Sequence, residues 1–290
     1  MTVVDLTVSE RLVESDARLV EVVAAQLMDI RRLGVAFSGG VDSATLLAIA
    51  AQALGPGNVI ALLGVSASLA SRERMLAHSI AEQLGVRLVE VATRELELAE
   101  YRRNDGMRCF HCKHTLFTAI DETVVAAHGI DAVAYGENAD DAVATDRPGQ
   151  QAARLHRVLR PLAAAGIDKA AVRRIARAFD LPVADKPASP CLASRIAPFT
   201  EVTEDKLRQV ETVEAALLDL GFTDVRVRHL GNAARIELPE AQLHLATQDA
   251  LRVQIVDVAR AAGFADVTLS LLPLRSGAFS AEMLQSRNGS

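Results

Sequence analysis

The feature that most constrains this chain is the segment at residues 35–43, with the sequence VAFSGGVDS. It lies between a short apolar run and an alanine-rich helical pattern, so it predicts a turn from a β-strand into an α-helix. Gly39 and Gly40 permit a positive φ and a close approach of the backbone to a ligand. A helix that follows such a turn directs unpaired N–H groups at anionic oxygens. The segment predicts a phosphate-binding loop, with an ordinary glycine-rich turn and a serine cap as the alternative.

Other side chains of this loop add to the prediction. Ser38 and Ser43 supply hydroxyl donors, and Asp42 is a candidate ligand of Mg²⁺ or an orienting group for the loop. No Gly-Lys-Ser or Gly-Lys-Thr sequence is present, so this is not a Walker loop. The hexapeptide SGGVDS resembles the loop of N-type ATP pyrophosphatases, which split ATP into AMP and pyrophosphate to adenylate a substrate.

Strand and helix patterns alternate through the first part of the chain. A continuous apolar run at 59–65 is typical of a strand buried on both faces, and helical periodicity follows at 72–84. The other predicted strands are 33–37, 87–91 and 132–135, and the other predicted helices are 11–31, 44–54 and 115–128. This order predicts an α/β fold with a doubly wound parallel sheet that binds ligands at the carboxyl ends of its strands. Ser38, Ser66 and Gly136 lie at such ends, so we expect them to gather around one crevice.

The sequence changes character near residue 180, where four prolines interrupt an irregular segment. We expect a first domain at 1–185, a cysteine-bearing linker at 186–202 and a smaller C-terminal α+β domain at 203–290. The small domain is predicted to contain helices at 203–220 and 239–262 and strands at 225–229, 234–238 and 267–272.

Composition limits the class of protein. The 290-residue chain has a net charge of -6, 3% aromatic residues and no Trp. These values disfavour a large nucleic-acid surface of basic grooves and stacking rings, although they leave a tRNA substrate open. No window reaches about 18 uncharged apolar residues, and the acidic segment 1–18 lacks the apolar core of a signal peptide. We therefore expect a cytoplasmic protein with no membrane partner.

The only cysteines of the chain are Cys109, Cys112 and Cys191. In a reducing compartment they are poor candidates for a disulfide framework. The first two are spaced so that both thiolates can face one metal, and Cys191 follows a proline and could complete the site. Three interpretations stay open: unengaged cysteines, zinc with His111 or His114 as the fourth ligand, and an iron–sulfur cluster with one open iron. We favour the cluster, because an open iron could hold a sulfide.

Acidic and basic pairs mark two further candidate sites. Asp140 and Asp141 follow the fourth predicted strand and, with Asp42, are candidate Mg²⁺ or ribose partners. A solvated cluster at a helix N-terminus is the alternative. Arg226 and Arg228 alternate with valines, which places both guanidinium groups on one face of a strand. A solvent-facing strand gives the same alternation, and from the residues alone we favour it.

Several motifs together resemble one family. They are SGGVDS at 38–43, RCFHCK at 108–113, YGENADD at 135–141, SPCLASR at 189–195, VRVRH at 225–229 and LRSG at 274–277. From about residue 30 to 280 the chain is similar to the ATP-dependent sulfur transferase LarE, whose domain is of the PP-loop, adenine nucleotide alpha hydrolase-like type. The PCLASR element is the most specific of these motifs, since the loop alone indicates only the superfamily.

This resemblance implies a function. LarE proteins adenylate a carboxylate of pyridinium-3,5-biscarboxylic acid mononucleotide and convert it into a thiocarboxylate for the nickel-pincer nucleotide cofactor of lactate racemase. The resemblance implies ATP and Mg²⁺, a mononucleotide substrate, a sulfide donor and a homo-oligomer. Members with only the cysteine that matches Cys191 are associated with sacrifice of its sulfur. Members with all three are associated with a [4Fe-4S] cluster, which we expect here.

The resemblance also implies roles for particular residues. Contacts to ATP are expected from Ser38, Gly39, Gly40, Asp42, Ser43, Ser66, Gly136 and Asn138. Catalytic roles are expected for Asp42, Cys109, Cys112 and Cys191. Binding of the substrate phosphate or carboxylate is expected from Arg195, Arg226, Arg228 and Arg275. Glu214 resembles an acidic position near these arginines, although a glutamate on a helix is more often a solvated charge.

Three other functions stay open on the sequence. A tRNA-thiolation enzyme of the same superfamily would use the same ATP loop and a similar three-cysteine cluster. A carboxylate-amidating synthetase would adenylate its substrate and add ammonia, without need of cysteines. A nucleotide-binding regulator would hold ATP without cleaving it.

Overall fold

The computed structural model of the protein describes Val8, residues 11–143 and residues 148–274. These residues form two compact units. The first comprises residues up to 66, 71–93 and 109–186, and the second comprises 67–70, 94–108 and 187 onward. The second unit thus includes two segments that the predicted boundary at residue 185 leaves in the first domain.

Long-range backbone hydrogen bonds explain this assignment. The amide of Leu192 donates to the carbonyl of Ser68 at 2.9 Å, and the amide of Val202 donates to the carbonyl of Arg102 at 2.9 Å. Such pairs join residues far apart in the chain, so no local pattern predicts them. The predicted limits of the linker and of the two domains stay a prediction.

We number the helices and strands of the described residues along the chain. The helices are α1 (Glu14–Leu27), α2 (Val41–Leu54), α3 (Ser71–Gln83), α4 (Ala99–Arg102), α5 (Arg108–Ala119), α6 (Val125–His128), α7 (Ala139–Val143), α8 (Pro148–Leu155), α9 (Pro161–Ala164), α10 (Lys169–Ala178), α11 (Glu204–Asp219) and α12 (Asp249–Ala261). The strands are β1 (Leu33–Ala36), β2 (Val59–Val65), β3 (Arg87–Ala92), β4 (Ala132–Tyr135), β5 (Arg226–Leu230), β6 (Ala233–Glu237) and β7 (Asp266–Leu269). Within these ranges, no helix is both long and apolar enough to cross a membrane.

The first unit is built on a parallel sheet with the strand order β3-β2-β1-β4. Strand β1 is paired on both sides, with Val35 aligned to Ala61 of β2 and to Ala134 of β4. The first five residues of β2 are all buried. A strand with neighbours on both sides and helices over the sheet has no solvent-facing position, which explains its continuous apolar sequence. This architecture confirms the predicted α/β fold of the PP-loop type.

Helix α2 is the central helix of this unit. All residues from Ser43 to Ala51 are buried, and the helix packs against α1, α10, β1 and β2. Because neighbours surround it, its sequence carries aliphatic residues on every side and has no polar face. This packing fixes the N-terminal end of α2 and therefore the loop that precedes it.

The strand order of the sheet reverses beside β1. Strands β2 and β3 extend from one side of β1, and β4 lies on the other side. In such sheets the connections on the two sides diverge, which leaves a crevice at the carboxyl ends of the strands. β1 ends at Ala36 and β4 ends at Tyr135. The predicted loop and Gly136 therefore lie on the two sides of the reversal point.

The second unit contains a sheet in the order β5-β6-β7, with β5 antiparallel and β7 parallel to β6. Helix α11 packs against β5 and α12. Gly221 and Gly263 follow the two helices with φ of +96° and +103°, in the region that favours glycine, and the chain turns there toward a strand. The second unit is a smaller α+β structure, as predicted.

One predicted helix of this unit is too long. The pattern predicts a helix at 239–262, but α12 covers only Asp249–Ala261, and two 3₁₀ turns precede it. The Thr247 hydroxyl donates to the His244 carbonyl at 2.9 Å, which favours a closed turn over a continuing helix. Gln248 is then extended, with φ −67° and ψ 134°.

Another helix begins earlier than predicted. The pattern predicts a start at residue 115, whereas α5 starts at Arg108. The carboxylate of Asp105 accepts the amide of Met107 at 2.8 Å, and the amide of Arg108 donates to the carbonyl of Asp105 at 3.1 Å. This Asx turn closes the chain directly before the helix, and the apolar pattern gives no sign of it. The early start places the first two cysteines on a helix.

Candidate functional site

The loop between β1 and α2 is closed by its own serine hydroxyls. The amide of Ser38 donates to Ser43 Oγ at 3.3 Å, and the Ser43 hydroxyl donates to the carbonyl of Gly40 at 3.0 Å. Gly39 has a φ of +73°, and a Cβ there would lie 3.3 Å from the Cβ of Ala77. Gly40 is extended, with a φ of −77°. Of the two glycines that permit a positive φ, Gly39 therefore adopts one and Gly40 does not.

The start of α2 completes an anion-binding geometry. The helix begins at Val41, directly after the loop, and is 14 residues long. Its first amides have no intrahelical partner, and its dipole places partial positive charge at this end. Together with the positive φ of Gly39, these groups can surround phosphate oxygens without any basic side chain.

Asp42, in the first turn of α2, is held by two residues from distant segments. The Asn138 amide donates to Oδ1 at 2.9 Å, and the Lys169 ammonium forms an ion pair with Oδ2. Lys169 is the first residue of α10 and lies 127 positions from Asp42 in the chain. Sequence reasoning missed Lys169, because no motif surrounds it. It brings a positive charge next to the phosphate-binding loop.

Gly136 lies where the end of β4 meets the start of α2. A Cβ at this position would come within 2.6 Å of the amide nitrogen of Ser43 and 2.7 Å of the carbonyl carbon of Asp42. Both atoms belong to the backbone, so neither can move aside cheaply. The ends of β1 and β4 therefore meet, as expected, and Ser66 lies half-buried directly after β2.

The acidic pair after β4 makes hydrogen bonds within the protein. Asp140 accepts the amide of Lys169 at 2.9 Å, while Asp141 accepts from the Asn138 side chain at 3.0 Å. The contact of Asp140 has the form of a helix cap, because Lys169 is the first residue of α10, whereas the amide of Asp141 is itself capped by the Asn138 side chain at 3.0 Å. In the part of the chain that the structure describes, no three His, Cys, Asp or Glu residues are grouped to hold a metal ion. Magnesium binding by Asp42, Asp140 and Asp141 stays a prediction.

A second group of charges lies near the end of β4. Glu137 is buried and pairs with Arg160 at 3.3 Å, and the Lys113 ammonium lies 4.4 Å from the ring centroid of Tyr135. Burial lowers the pKa of Lys113, and the negative charge of Glu137 opposes this shift. Among the described residues, Glu137 Oε2 and the Tyr135 hydroxyl have no hydrogen-bond partner.

Cys109 and Cys112 lie three positions apart on α5 and so face the same side of the helix. Cys109 is exposed, Cys112 is half-buried, and neither forms a disulfide in the described structure. His114, a considered zinc ligand, shares a hydrogen bond of 2.9 Å with His156, which contacts Asp121 at 2.8 Å. The bond to His156 occupies Nδ1 of His114. Because Cys109 is exposed and Cys112 is only half-buried, a ligand can reach both thiols.

Cys191 belongs to the second unit and is exposed. It is extended, with φ −57° and ψ 157°, and it directly precedes the 3₁₀ turn Leu192–Arg195. Leu192 and Ala193 are buried, so the chain enters the core immediately after the cysteine. The thiol therefore lies at the surface of an anchored segment.

The arginines on β5 are buried. Arg226 and Arg228 are 2% and 3% exposed, so the interpretation of β5 as a solvent-facing strand is wrong. Arg228 pairs with Glu237 at 2.9 Å and donates to the carbonyl of Ser194 at 3.0 Å. Burial, and then the nearby charge of Arg195, lowers the pKa of Arg226.

Arg195 is held by Glu214 from α11. The guanidinium donates to both carboxylate oxygens, at 2.9 Å and 3.2 Å, and both side chains are buried. Glu214 also accepts the amide of Val227 at 2.9 Å. The interpretation of Glu214 as a solvated charge is therefore wrong. Arg275 lies outside the described residues, and the phosphate-binding roles of all four arginines stay predictions.

Comparisons with known proteins support one family. Residues 14–110 match the family model described as asparagine synthase, which is of the PP-loop superfamily. The chain is 38% identical over 249 residues to an uncharacterised protein of Synechocystis sp., covering 86% of this chain and 92% of the relative. It is 24% identical over 246 residues to an uncharacterised protein of Methanocaldococcus jannaschii, covering 85% and 92%.

A relative with a named activity is also similar over most of its length. The chain is 34% identical over 256 residues to the pyridinium-3,5-bisthiocarboxylic acid mononucleotide synthase of Lactiplantibacillus plantarum, covering 87% of this chain and 90% of that synthase. A match that covers 87% of the chain spans most of the first unit and extends well into the second, since the first ends at residue 186. Similarity of this degree over nearly whole chains shows that the protein belongs to the LarE family of ATP-dependent PP-loop enzymes.

Proposed function

We propose that the protein is an ATP-dependent sulfur transferase for nickel-pincer nucleotide biosynthesis. It adenylates a carboxylate of pyridinium-3,5-biscarboxylic acid mononucleotide and converts it into a thiocarboxylate. The observation that carries this proposal is the phosphate-binding loop at Ser38–Ser43 in a chain 34% identical to a synthase of the bisthiocarboxylic product. The three cysteines, none of them buried, supply the sulfur chemistry that the reaction needs.

In the first half-reaction, a carboxylate oxygen of the substrate attacks the α-phosphorus of ATP, and the bond to pyrophosphate breaks. The amides of the loop and of the first turn of α2 stabilise the developing charge on the phosphates. Lys169 adds a charge-assisted hydrogen bond when phosphate oxygens compete with Asp42 for its ammonium. Asp42 offers a carboxylate of the type that Mg²⁺ prefers, and the ion would neutralise charge on the leaving group.

In the second half-reaction, a sulfur nucleophile attacks the carbonyl carbon of the acyl adenylate, and AMP leaves. One C–S bond forms and one C–O bond breaks. Cys109, Cys112 and Cys191 offer three thiols outside the core, which fits the donor type that iron–sulfur clusters require. A [4Fe-4S] cluster on these three thiols would leave one iron open to hold a sulfide. The exposed positions of Cys109 and Cys191 also give access to the sulfide donor.

The buried arginines of the second unit support recognition of an anionic substrate. Arg195 pairs with Glu214 and Arg228 pairs with Glu237, while Arg226 lies near the charges of Arg195 and Asp224. Burying guanidinium groups is costly, and a phosphate or carboxylate bound beside them would offset part of that cost. We infer that these arginines bind the phosphate or a carboxylate of the mononucleotide.

Pyrophosphate release tests the first half-reaction. Asp42→Ala should lower substrate-dependent release by about 100-fold, because it removes the partner of Lys169 and a candidate magnesium ligand. The content of iron should not change. Asp185→Ala removes an exposed carboxylate paired with Arg177 and serves as the matched control with wild-type activity. Full pyrophosphate release by Asp42→Ala would contradict the proposed role of the loop.

The product separates the proposal from the other functions. With ATP, Mg²⁺, the mononucleotide and sulfide under anaerobic conditions, the protein should replace one substrate oxygen by sulfur, as measured by mass spectrometry. Thiolation of added tRNA, incorporation of ammonia, or ATP binding without pyrophosphate release would each contradict the proposal and indicate the corresponding alternative.

A further inference from the structure

Asn104 is a buried residue whose backbone and side chain bind the segment that follows Cys191. Its φ is +54°, a left-handed conformation that asparagine tolerates better than most residues. Its side-chain amide donates to the carbonyl of Ile196 at 3.3 Å and to that of Ala197 at 2.8 Å. Its own carbonyl accepts the amide of Phe199 at 3.1 Å. One residue therefore fixes three positions of the segment.

Arg108 binds the same segment closer to the cysteine. It is 9% exposed, and its guanidinium donates to the carbonyl of Ala193 at 2.9 Å and to the Asn104 side-chain oxygen at 2.5 Å. The amide of Leu192 is bound by the carbonyl of Ser68 at 2.9 Å. The two residues directly after Cys191 are thus each tied to chain segments from before residue 109.

This arrangement is energetically costly, which indicates a role beyond stabilising a loop. A buried guanidinium and a left-handed non-glycine residue are both unfavourable unless the surroundings compensate them. The segment has a proline directly before Cys191 and pairs with β5 only through an isolated bridge between Ile196 and His229. The side-chain donors of Asn104 and Arg108 add contacts that give the segment one defined backbone path.

We propose that Asn104 and Arg108 are positioning residues for Cys191, which fix the place and direction of its Sγ for sulfur transfer. The inference rests on the proposed function for its chemical role. It adds two residues that act on Cys191 through the backbone that follows it, Arg108 at Ala193 and Asn104 at Ile196 and Ala197. A reacting or ligating sulfur that moves by about 1 Å can lose about 100-fold in rate.

Arg108→Met tests the proposal, because methionine keeps much of the volume and loses every donor. We expect the yield of thiocarboxylate per pyrophosphate to fall by about 100-fold, with pyrophosphate release and the KM for ATP unchanged. Arg108→Lys keeps the charge without the planar fork and should give an intermediate yield. Arg208→Met removes an exposed arginine paired with Asp205 and is the matched control.

Two physical measurements accompany the activity. Hydrogen exchange of the peptide 191–199 should become faster in Arg108→Met, while that of the peptide 204–219 on α11 stays unchanged. Alkylation of Cys191 by iodoacetamide in the intact protein should also change in rate. If Arg108→Met does not fold, Asn104→Asp, which loses only the two amide donor bonds, is judged by the same measurements.

The outcomes separate this inference from the proposed function. A folded variant with a wild-type yield per pyrophosphate overturns the positioning role, and so does an equal fall in pyrophosphate release and product. A wild-type protein that makes no thiocarboxylate overturns the proposed function instead. In that case the exchange and alkylation data decide alone: unchanged values in Arg108→Met overturn the positioning of Cys191.

Discussion

The contrast between Asp42 and Lys169 shows which single residues a sequence reveals. Asp42 stands inside a compact motif, so its place beside the phosphate-binding loop follows from the strand and helix around it. Lys169 forms an ion pair with Asp42 from the start of another helix. The pair depends on how α10 packs against α2, and that packing has no local signature. Site residues can thus be predicted from sequence when they lie within one local motif, but not when only tertiary packing brings them together.

The same limit applies to the buried arginines. The alternation of Arg226 and Arg228 with valines correctly places both side chains on one face of a strand, but it does not say which face is buried. Partners such as Glu237 on β6 and Glu214 on α11 decide that question. The charge of an arginine alone predicts exposure to solvent. The acidic residues that compensate it here lie elsewhere in the sequence.

His229 predicts a pH dependence of stability at the residue scale. It is buried, its Nε2 contacts the Gln209 side chain at 3.0 Å, and its Nδ1 has no hydrogen-bond partner among the described residues. Burial, and then the positive charge of Lys206, lowers its pKa in the folded protein. The unfolded chain therefore binds the proton more readily near the ordinary histidine pKa of about 6.5. The free energy of unfolding should therefore decrease as the pH falls through about 6.5.

Urea unfolding between pH 8 and pH 5 measures this effect. The free energy of unfolding of the wild-type protein should decrease more steeply below about pH 6.5 than that of His229→Gln, because glutamine cannot be protonated. The exposed His78 provides a matched control, and His78→Gln should keep the wild-type slope. Equal slopes for the wild-type protein and His229→Gln would contradict the prediction.

At the scale of elements, the strands of the first unit follow their sequence closely and the helices do so less well. An apolar run such as Val59–Val65 has one compatible environment, a strand covered on both sides. The end of a helix depends instead on single residues: Asp105 starts α5 early, and Thr247 closes a turn before α12. Side-chain caps of this kind compete closely with helix propagation, so periodicity alone misplaces the boundary.

The junction of β4 with α2 supports a prediction at this scale. Gly136→Ala would place a Cβ within 2.8 Å of the backbone of α2, and the strand end or the helix start would have to move. We expect a loss of about 1–3 kcal/mol in the free energy of unfolding. A weaker affinity for ATP should accompany it, because the same helix start carries the phosphate-binding amides.

Calorimetry with ATP and denaturant unfolding check both effects. Gly57→Ala is the control, since a Cβ there meets no atom within 4 Å and Gly57 has no positive φ. That variant should match the wild-type protein in stability and in ATP affinity. An alanine at position 136 that leaves ATP affinity unchanged would show that the junction does not shape the binding loop.

At the scale of the whole molecule, the chain is less simply divided than its sequence indicates. The sequence changes character near residue 180, and the first unit includes residues as far as 186. The segment 94–108 nevertheless groups with the second unit, through contacts such as that of Arg108 with Ala193. A division of the sequence by composition cannot show that an earlier segment groups with the later part of the chain.

The three cysteines provide the prediction that concerns the whole molecule, because they come from both units. Cys109 and Cys112 lie in the first unit and Cys191 lies in the second. If all three bind one [4Fe-4S] cluster, anaerobically purified protein should contain iron and be brown. Changing any one of the three to alanine should remove the iron, since each thiolate is one of only three protein ligands.

Intact mass before and after turnover then identifies the source of the sulfur. A cluster-bound sulfide leaves the protein mass unchanged over many turnovers. Sacrifice of Cys191 would remove one H₂S from the protein, convert the residue to dehydroalanine and limit the yield to one sulfur per chain. Zinc without iron in the purified protein would contradict the cluster, and so would full sulfur transfer by Cys109→Ala. Mass loss and iron content are measured independently. Cluster-mediated transfer should show iron without mass loss, and sacrificial transfer should show mass loss without iron.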